Sequence, residues 1–165
     1  MIYSIQSHPY LNVYLSPMNF KDILNLFKLG KATAKSHMRN LIEIAAADGG
    51  LGVEEQRLLE FAAIKNNISK TELKAIQADA SKIRFEVPGS EEEKFFQLYD
   101  LVHMMSVDKN IHSEELRLCE IFAIKFGYRK ETVREMIEII RQSIETWTEP
   151  KETMQLVLRN LKISD

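Results

Sequence analysis

Apolar residues recur at spacings of three and four along most of this chain, which is the period of an amphipathic helix. In the segment 33–47, for example, the stripe consists of Met38, Leu41, Ile44 and Ala45. No segment shows the sustained alternation of apolar and polar residues that marks a half-buried strand. The sequence therefore predicts an all-α fold of seven or eight helices.

Residues 1–17 depart from this pattern, because tyrosine and aliphatic residues only loosely alternate there and Pro9 and Pro17 interrupt them. Proline restricts the residue before it to extended backbone, and so we predict an irregular N-terminal arm followed by a helical domain at 18–165. The arm either packs on the domain or stays without structure. The alternative is a contact of its aromatic residues with a membrane or a partner.

Two of the predicted helices begin with the S-x-x-E pattern of a capping box. Ser69 with Glu72 starts a helix that we expect to run to about Arg84, and Ser90 with Glu93 starts the next one. The serine hydroxyl accepts the N–H of the third helical residue, and the glutamate accepts the N–H of the serine.

One stretch of the chain occurs twice. Residues 47–59 read ADGGLGVEEQRLL, and residues 107–119 read VDKNIHSEELRLC. Ungapped pairing of 41–73 with 101–133, an offset of 60, gives eleven identities in thirty-three positions, whereas average composition gives about two. Each copy joins an apolar helix end, an acidic turn and the acidic start of a second helix. The sequence thus predicts a doubled helical unit.

A break in the helical pattern separates the two copies. The sequence EVPG at 86–89 contains proline and glycine, which terminate helices. We therefore divide the helical domain into a first half at about 18–86 and a second half at about 87–165.

Glycine and asparagine exchange places at two aligned positions of the copies. Gly50 aligns with Asn110, and Asn67 aligns with Gly127. These two residue types best tolerate the left-handed backbone conformation that closes many helices. We therefore predict that both copies share the same backbone geometry at these positions.

An aspartate ends the inward stripe of the first helix in each copy, at Asp48 and Asp108. A carboxylate at a helix C-terminus opposes the helix dipole, which costs about 0.3–1 kcal/mol unless something offsets it. One explanation is an Asx-turn, in which the carboxylate accepts N–H groups of the loop. The other is a bound cation, shared with the neighbouring glutamates Glu54, Glu55, Glu114 and Glu115.

The glutamates also have a purely structural explanation. Acidic residues in a first turn complement the dipole of their own helix. Glu55 and Glu115 occupy the third helical position, from which they are able to cap the backbone at Gly52 and His112.

A calcium EF-hand does not fit either turn. Asp108, Asn110 and His112 resemble its first alternating ligands, but the sixth position holds Ser113 instead of glycine and the twelfth holds Cys119 instead of glutamate.

No arrangement of residues specifies catalysis. His37 and His103 have no acidic or thiol neighbour in the sequence, and we expect His112 to be solvated. The chain has no glycine-rich phosphate loop, no HExxH, no CxxC and no Ser-His-Asp order. We therefore expect a protein that is not an enzyme.

Composition narrows the class of partner and the compartment. The net charge is −2, from 22 basic and 24 acidic residues, and so nucleic acid is not an expected partner. The single cysteine, Cys119, lies among apolar residues and is expected to be a buried thiol. No apolar run reaches the length of about 20 residues that a membrane-spanning helix needs, and no signal peptide is evident. We expect a cytoplasmic protein.

The repeated motif, A-x-A-D-G followed by leucine or isoleucine, E-E and an apolar helix, resembles the TerB-like family, the TerB domain of tellurite resistance. The resemblance covers about residues 20–145. It implies two helical halves about a pseudo-twofold, with acidic positions at Asp48, Glu54, Glu55, Asp108, Glu114 and Glu115.

What the resemblance implies for function is a non-enzymatic cytoplasmic domain with an acidic surface that binds a divalent cation, calcium or zinc. It also implies a link to tellurite and metal stress, with protein partners in a stress-response or membrane-associated complex. The chain departs from the family where Gly52 and His112 replace the usual serine or threonine and where Lys109 follows the second aspartate. Lys109 weakens a cation site in the second copy, and the first copy is therefore the better candidate.

The alternative function is a helical protein–protein interaction module, a monomer or a homodimer, whose acidic turns are purely structural caps.

Overall fold

The computed structural model describes residues 31–47, 49, 51–107 and 109–161. This part of the chain forms a compact body of seven α-helices with no strand, which confirms the all-α prediction. The helices are α1 (Lys31–Ala45), α2 (Val53–Lys65), α3 (Lys70–Ala78), α4 (Glu91–Ser106), α5 (Ser113–Lys125), α6 (Lys130–Glu145) and α7 (Pro150–Asn160), with a 3-10 helix at Ala80–Lys82. The predicted arm at 1–17 and the apolar stripe beginning near residue 19 lie outside the described residues.

Helix boundaries recur at the offset of 60 that the sequence repeat shows. α2 and α5 have matching bounds, α1 and α4 begin at residues 31 and 91, and α3 and α6 begin at residues 70 and 130. The exception is the end of α3, where the prediction of a helix to about Arg84 was wrong. Asp79 has φ −155° and ends the helix, and its carboxylate accepts the Ser81 hydroxyl at 2.5 Å. Such a local side-chain bond competes with helix continuation.

The second bend of each copy has the predicted backbone. Asn67 and Gly127 are left-handed, with φ 55° and 101°. The residue after each donates its N–H to an alanine carbonyl in the preceding helix, at 2.8 Å onto Ala63 and 3.1 Å onto Ala123. This is the bonding pattern of a Schellman motif, and it closes α2 and α5 in the same way.

The left-handed residue of the first bend lies one position before the aligned Gly50 and Asn110. Gly50 lies outside the described residues, and Asn110 is not left-handed; the left-handed residues are Gly49 and Lys109, with φ 113° and 66°. Their N–H groups bond the carbonyls of Ala46 and Ser106, each at 3.2 Å. This turn therefore closes one residue before the aligned Gly–Asn pair, and it does so at matching positions, Gly49 and Lys109, of the two copies.

The capping pattern at Ser69 is complete, as predicted: its hydroxyl accepts from Glu72 N at 3.2 Å, and its own N–H donates to Glu72 at 3.0 Å. At Ser90 only half of the pattern forms. The hydroxyl accepts from Glu93 N at 3.1 Å, but the Glu93 carboxylate accepts from Gly89 N instead.

The core centres on α1 and α4. Met38 on α1 and Leu98 on α4 are both fully buried, and Met104, Met105 and Met136 are at most 1% exposed. These four methionines therefore fill space in the core.

The segment that joins the two halves is held at two points. Ser36 on α1 accepts the N–H of Glu86 at 2.8 Å. The ring of Phe85 stacks on those of Phe122 and Phe126, with centroids 6.2 and 6.1 Å apart. The predicted break at 86–89 is non-helical; its first residue, Glu86, bonds to α1, and Phe85 just before it packs at α5.

Candidate functional site

The repeated acidic turns divide their glutamates into a buried pair and an exposed pair. Glu55 and Glu115 are 6% and 2% exposed, whereas Glu54 and Glu114 face solvent at the starts of α2 and α5. Asp48 and Asp108, the remaining residues of the predicted cation site, lie outside the described residues.

Of the two buried glutamates, Glu115 caps the start of its helix. Glu115 accepts the backbone N–H of His112 at 3.1 Å, as the sequence predicted. In the first copy a Cβ added to Gly52 would lie only 2.2 Å from Glu55 Oε2. The carboxylate of Glu55 thus occupies the space that the missing side chain of Gly52 leaves, and any larger residue at this position would displace it.

The exposed glutamates each face an arginine one turn along the helix. Glu54 is 2.8 Å from Arg57, and Glu114 is 3.6 Å from Arg117. Exposed pairs of this kind contribute little to stability. Among the described residues, no group of three or more histidine, cysteine, aspartate or glutamate side chains is arranged to hold a metal ion.

A second polar cluster, which sequence reasoning missed, lies between α1 and α4. His37 Nε2 is 3.0 Å from Asp100 Oδ2, and Lys65 Nζ on α2 is 3.3 Å from the same oxygen. His37 is 1% exposed and Asp100 8% exposed. We call these three residues the buried triad.

Electrostatics in the triad favour the ionised carboxylate. Burial by itself raises the pKa of Asp100, but the charges of Lys65 and His37 and the hydrogen bond from His37 outweigh it and lower the pKa to about 2. Asp100 is therefore a carboxylate at neutral pH, compensated by a lysine whose side chain is 32% exposed. Strongly perturbed groups mark functional sites, but they also mark structural ion pairs.

His103 lies one turn after Asp100 on α4 and is 5% exposed. Burial lowers its pKa to about 4, although Asp100 acts in the opposite direction. The ring is consequently neutral at pH 7 and contacts Tyr99 edge-on at 6.4 Å between centroids.

Comparison with protein-family models, curated proteins and solved structures finds no match to this chain.

The function must therefore be argued from the residues themselves. A shallow apolar cleft, lined by Leu41, Leu58, Phe61, Ala62, Lys65 and Asp100, leads from the surface to the triad. Of these six residues only Lys65 and Asp100 have ionisable side chains; they lie 3.3 Å from each other, and Asp100 is also 3.0 Å from His37. The chemistry that this arrangement offers is charge compensation between helices.

Two further sequence predictions concern Cys119 and membrane-spanning helices. Cys119 is fully buried, which confirms the prediction of a buried thiol. Burial raises the pKa of this thiol. Within 31–161, apart from the three undescribed positions, no helix has the length and apolarity needed to cross a membrane.

Proposed function

We propose that this protein is a non-enzymatic helical interaction module of TerB-like organisation, whose repeated acidic turns serve as helix caps. The observation that carries the proposal is the position of Glu115, which is buried and bonded to the backbone at the start of its own helix. A carboxylate engaged in this way contributes to the fold and is not free to bind a ligand.

Apolar side chains on the surface support a role in protein contact. Ile64 is 75% exposed, and its counterpart at the offset of 60, Ile124, is 43% exposed. Leu51 and Ile111, also 60 residues apart, are 40% and 42% exposed. Single exposed apolar residues are ordinary, but their recurrence at matching positions of both copies supports the proposal of a contact with another protein. We place such a partner in a cytoplasmic stress-response or membrane-associated complex.

The test is a comparison of partners captured by crosslinking in the native cells. We expect the I64S/I124S variant to lose at least one partner that the wild type retains, because it loses the most exposed repeated apolar pair. The matched control K74S/K130S changes two exposed lysines on α3 and α6 and should keep that partner. Unchanged circular dichroism and unfolding free energy must accompany the loss. Identical partners for I64S/I124S and the wild type would contradict the proposal.

The second candidate is a TerB-like surface that binds a divalent cation in tellurite or metal stress. What favours it is that Glu54 and Glu114, at matching positions, keep side-chain exposures of 50% and 63%. Glu114 also lies 3.6 Å from its arginine, which is longer than a hydrogen bond. Calorimetric titration with calcium and with zinc separates this candidate from the first.

A further inference from the structure

The segment before α4 covers the end of α5 with an aromatic ring. Phe85 stacks on Phe122 and Phe126, with ring centroids 6.2 and 6.1 Å apart. Lys125 Nζ lies over the same ring, 4.9 Å from its centroid. The ring of Phe85 therefore packs against two aromatic side chains and a lysine of the second copy.

The cleft beside α2 occupies the equivalent place in the first copy. At the offset of 60, Ala62 in the wall of the cleft is the counterpart of Phe122. Asn66 is the counterpart of Phe126, and its side chain turns back to donate to Ala62 O at 2.8 Å. The first copy thus has an alanine and an asparagine where the second has two aromatic rings. These smaller side chains leave room for a larger occupant.

The wall of the cleft determines what kind of occupant it suits. Its apolar lining residues are Leu41, Leu58, Phe61 and Ala62. The other two, Lys65 and Asp100, lie 3.3 Å from each other as an ion pair. Removing apolar surface from water is favourable by about 25 cal/mol per Å². The cleft therefore suits an apolar side chain that packs beside the ion pair.

The sequence before α1 supplies apolar side chains at the matching place in the chain. Residues 19–29 precede α1 as residues 79–89, which include Phe85, precede α4. Position 25, the counterpart of Phe85, is flanked by Leu24 and Phe27. The apolar residues of the segment recur at helical spacing, and they are Phe20, Ile23, Leu24 and Phe27.

The chain is long enough to bring this segment to the cleft. Leu41, in the wall of the cleft, lies about 15 Å along α1 from its first residue, Lys31. The chain from Leu24 to Lys31 spans up to about 23 Å when it is extended. A segment that turns back along α1 therefore reaches the cleft.

We propose that residues 19–29 dock in the cleft of their own chain, with their apolar side chains against Leu58, Phe61 and Ala62. The segment completes the first copy as Phe85 completes the second. Lys65, whose side chain is 32% exposed, stays at the rim of the cleft, as Lys125 stays at the edge of the Phe85 ring.

Filling the cleft tests this docking through urea unfolding of the 165-residue chain at pH 7. L24S/F27S makes the segment polar, and we expect it to lower the folding equilibrium constant at least fivefold. A62F supplies the ring that Phe122 supplies in the second copy, and it leaves no room for the segment. In the A62F background, L24S/F27S should therefore change the constant by less than twofold.

A75F is the matched control, because Ala75 is exposed on α3 and does not line the cleft. In the A75F background, L24S/F27S should keep its full effect. A change below twofold for L24S/F27S in the wild type overturns the proposal. Equal effects of L24S/F27S in the A62F and A75F backgrounds overturn it as well.

Photocrosslinking covers the case in which A62F does not fold. A benzophenone amino acid replaces Leu58 in the cleft or, as the control, the exposed Ala75. Mass spectrometry should find position 58, but not position 75, joined to the tryptic peptide 22–28 of the same chain. Two chains joined through position 58 would make a second copy the occupant. Crosslinks from position 58 to residues 31–161 alone would leave the segment outside the cleft. Either result overturns the proposal.

Discussion

Replacing Asp100 with asparagine will lower the free energy of unfolding by about 3 kcal/mol or more, the cost expected when one partner of a buried ion pair is removed. The carboxylate accepts from His37 at 3.0 Å and lies 3.3 Å from Lys65. Asparagine keeps the shape but not the charge. Lys65 then turns toward water through the cleft, whereas His37, at 1% exposure, cannot do so.

Urea unfolding at pH 7 measures this effect. D79N is the matched control, because Asp79 forms an exposed pair with Lys82 at 3.1 Å, for which a change below about 1 kcal/mol is expected. Equal free energies of unfolding for D100N and D79N would show that the buried triad does not stabilise the fold.

Acidification will destabilise the protein in two steps. The pKa of His103 is lowered from 6.5 to about 4 in the fold. Between these two pH values the unfolded chain therefore binds a proton at His103 and the folded chain does not. The contribution of His103 to the free energy of unfolding is therefore complete above pH 6.5, and it falls by about 3 kcal/mol as the pH drops to 4. The pKa of Asp100 is lowered from 3.8 to about 2. Its contribution, about 2 kcal/mol, is complete above pH 3.8 and is lost as the pH drops through 2.

The free energy of unfolding of wild type and H103Q between pH 7.5 and 4 checks the first step. Lys65, Asp100 and Tyr99 surround His103 and remain in both proteins. We expect H103Q to lose the part of the pH dependence between 6.5 and 4, whatever its stability at pH 7.5. Parallel curves for the two proteins would assign that dependence to other groups.

Most of the fold could be predicted because its boundaries depend on local chemistry. Ser69 and Glu72 determine a helix start by themselves, and the left-handed Asn67 and Gly127 close two helices through neighbouring atoms. Lys109 shows the limit of this reasoning. It takes a left-handed conformation that side chains other than glycine and asparagine rarely adopt, and so residue type alone pointed to Asn110.

The buried triad could not be predicted from local pattern. His37 and Asp100 are 63 residues apart, and their contact depends on how two helices cross. A signal was nevertheless present, because His37, Asn40, Gln97 and Asp100 are polar residues that directly precede apolar stripe positions of the two helices and fall into two pairs at the offset of 60. The acidic turns were predicted as candidates, but nothing local distinguishes a carboxylate that caps a helix from one that binds a cation.

Calorimetric titration of the wild type and of D48N/D108N with calcium and with zinc tests most directly whether the acidic turns are structural. We predict the same heats for both proteins, together with a lower free energy of unfolding for the double variant even in a chelator, because a neutral amide oxygen accepts the loop N–H groups expected at both turns more weakly than a carboxylate does. Binding heat in the wild type that disappears in D48N/D108N, with equal stability of the two proteins in the chelator, would contradict this account.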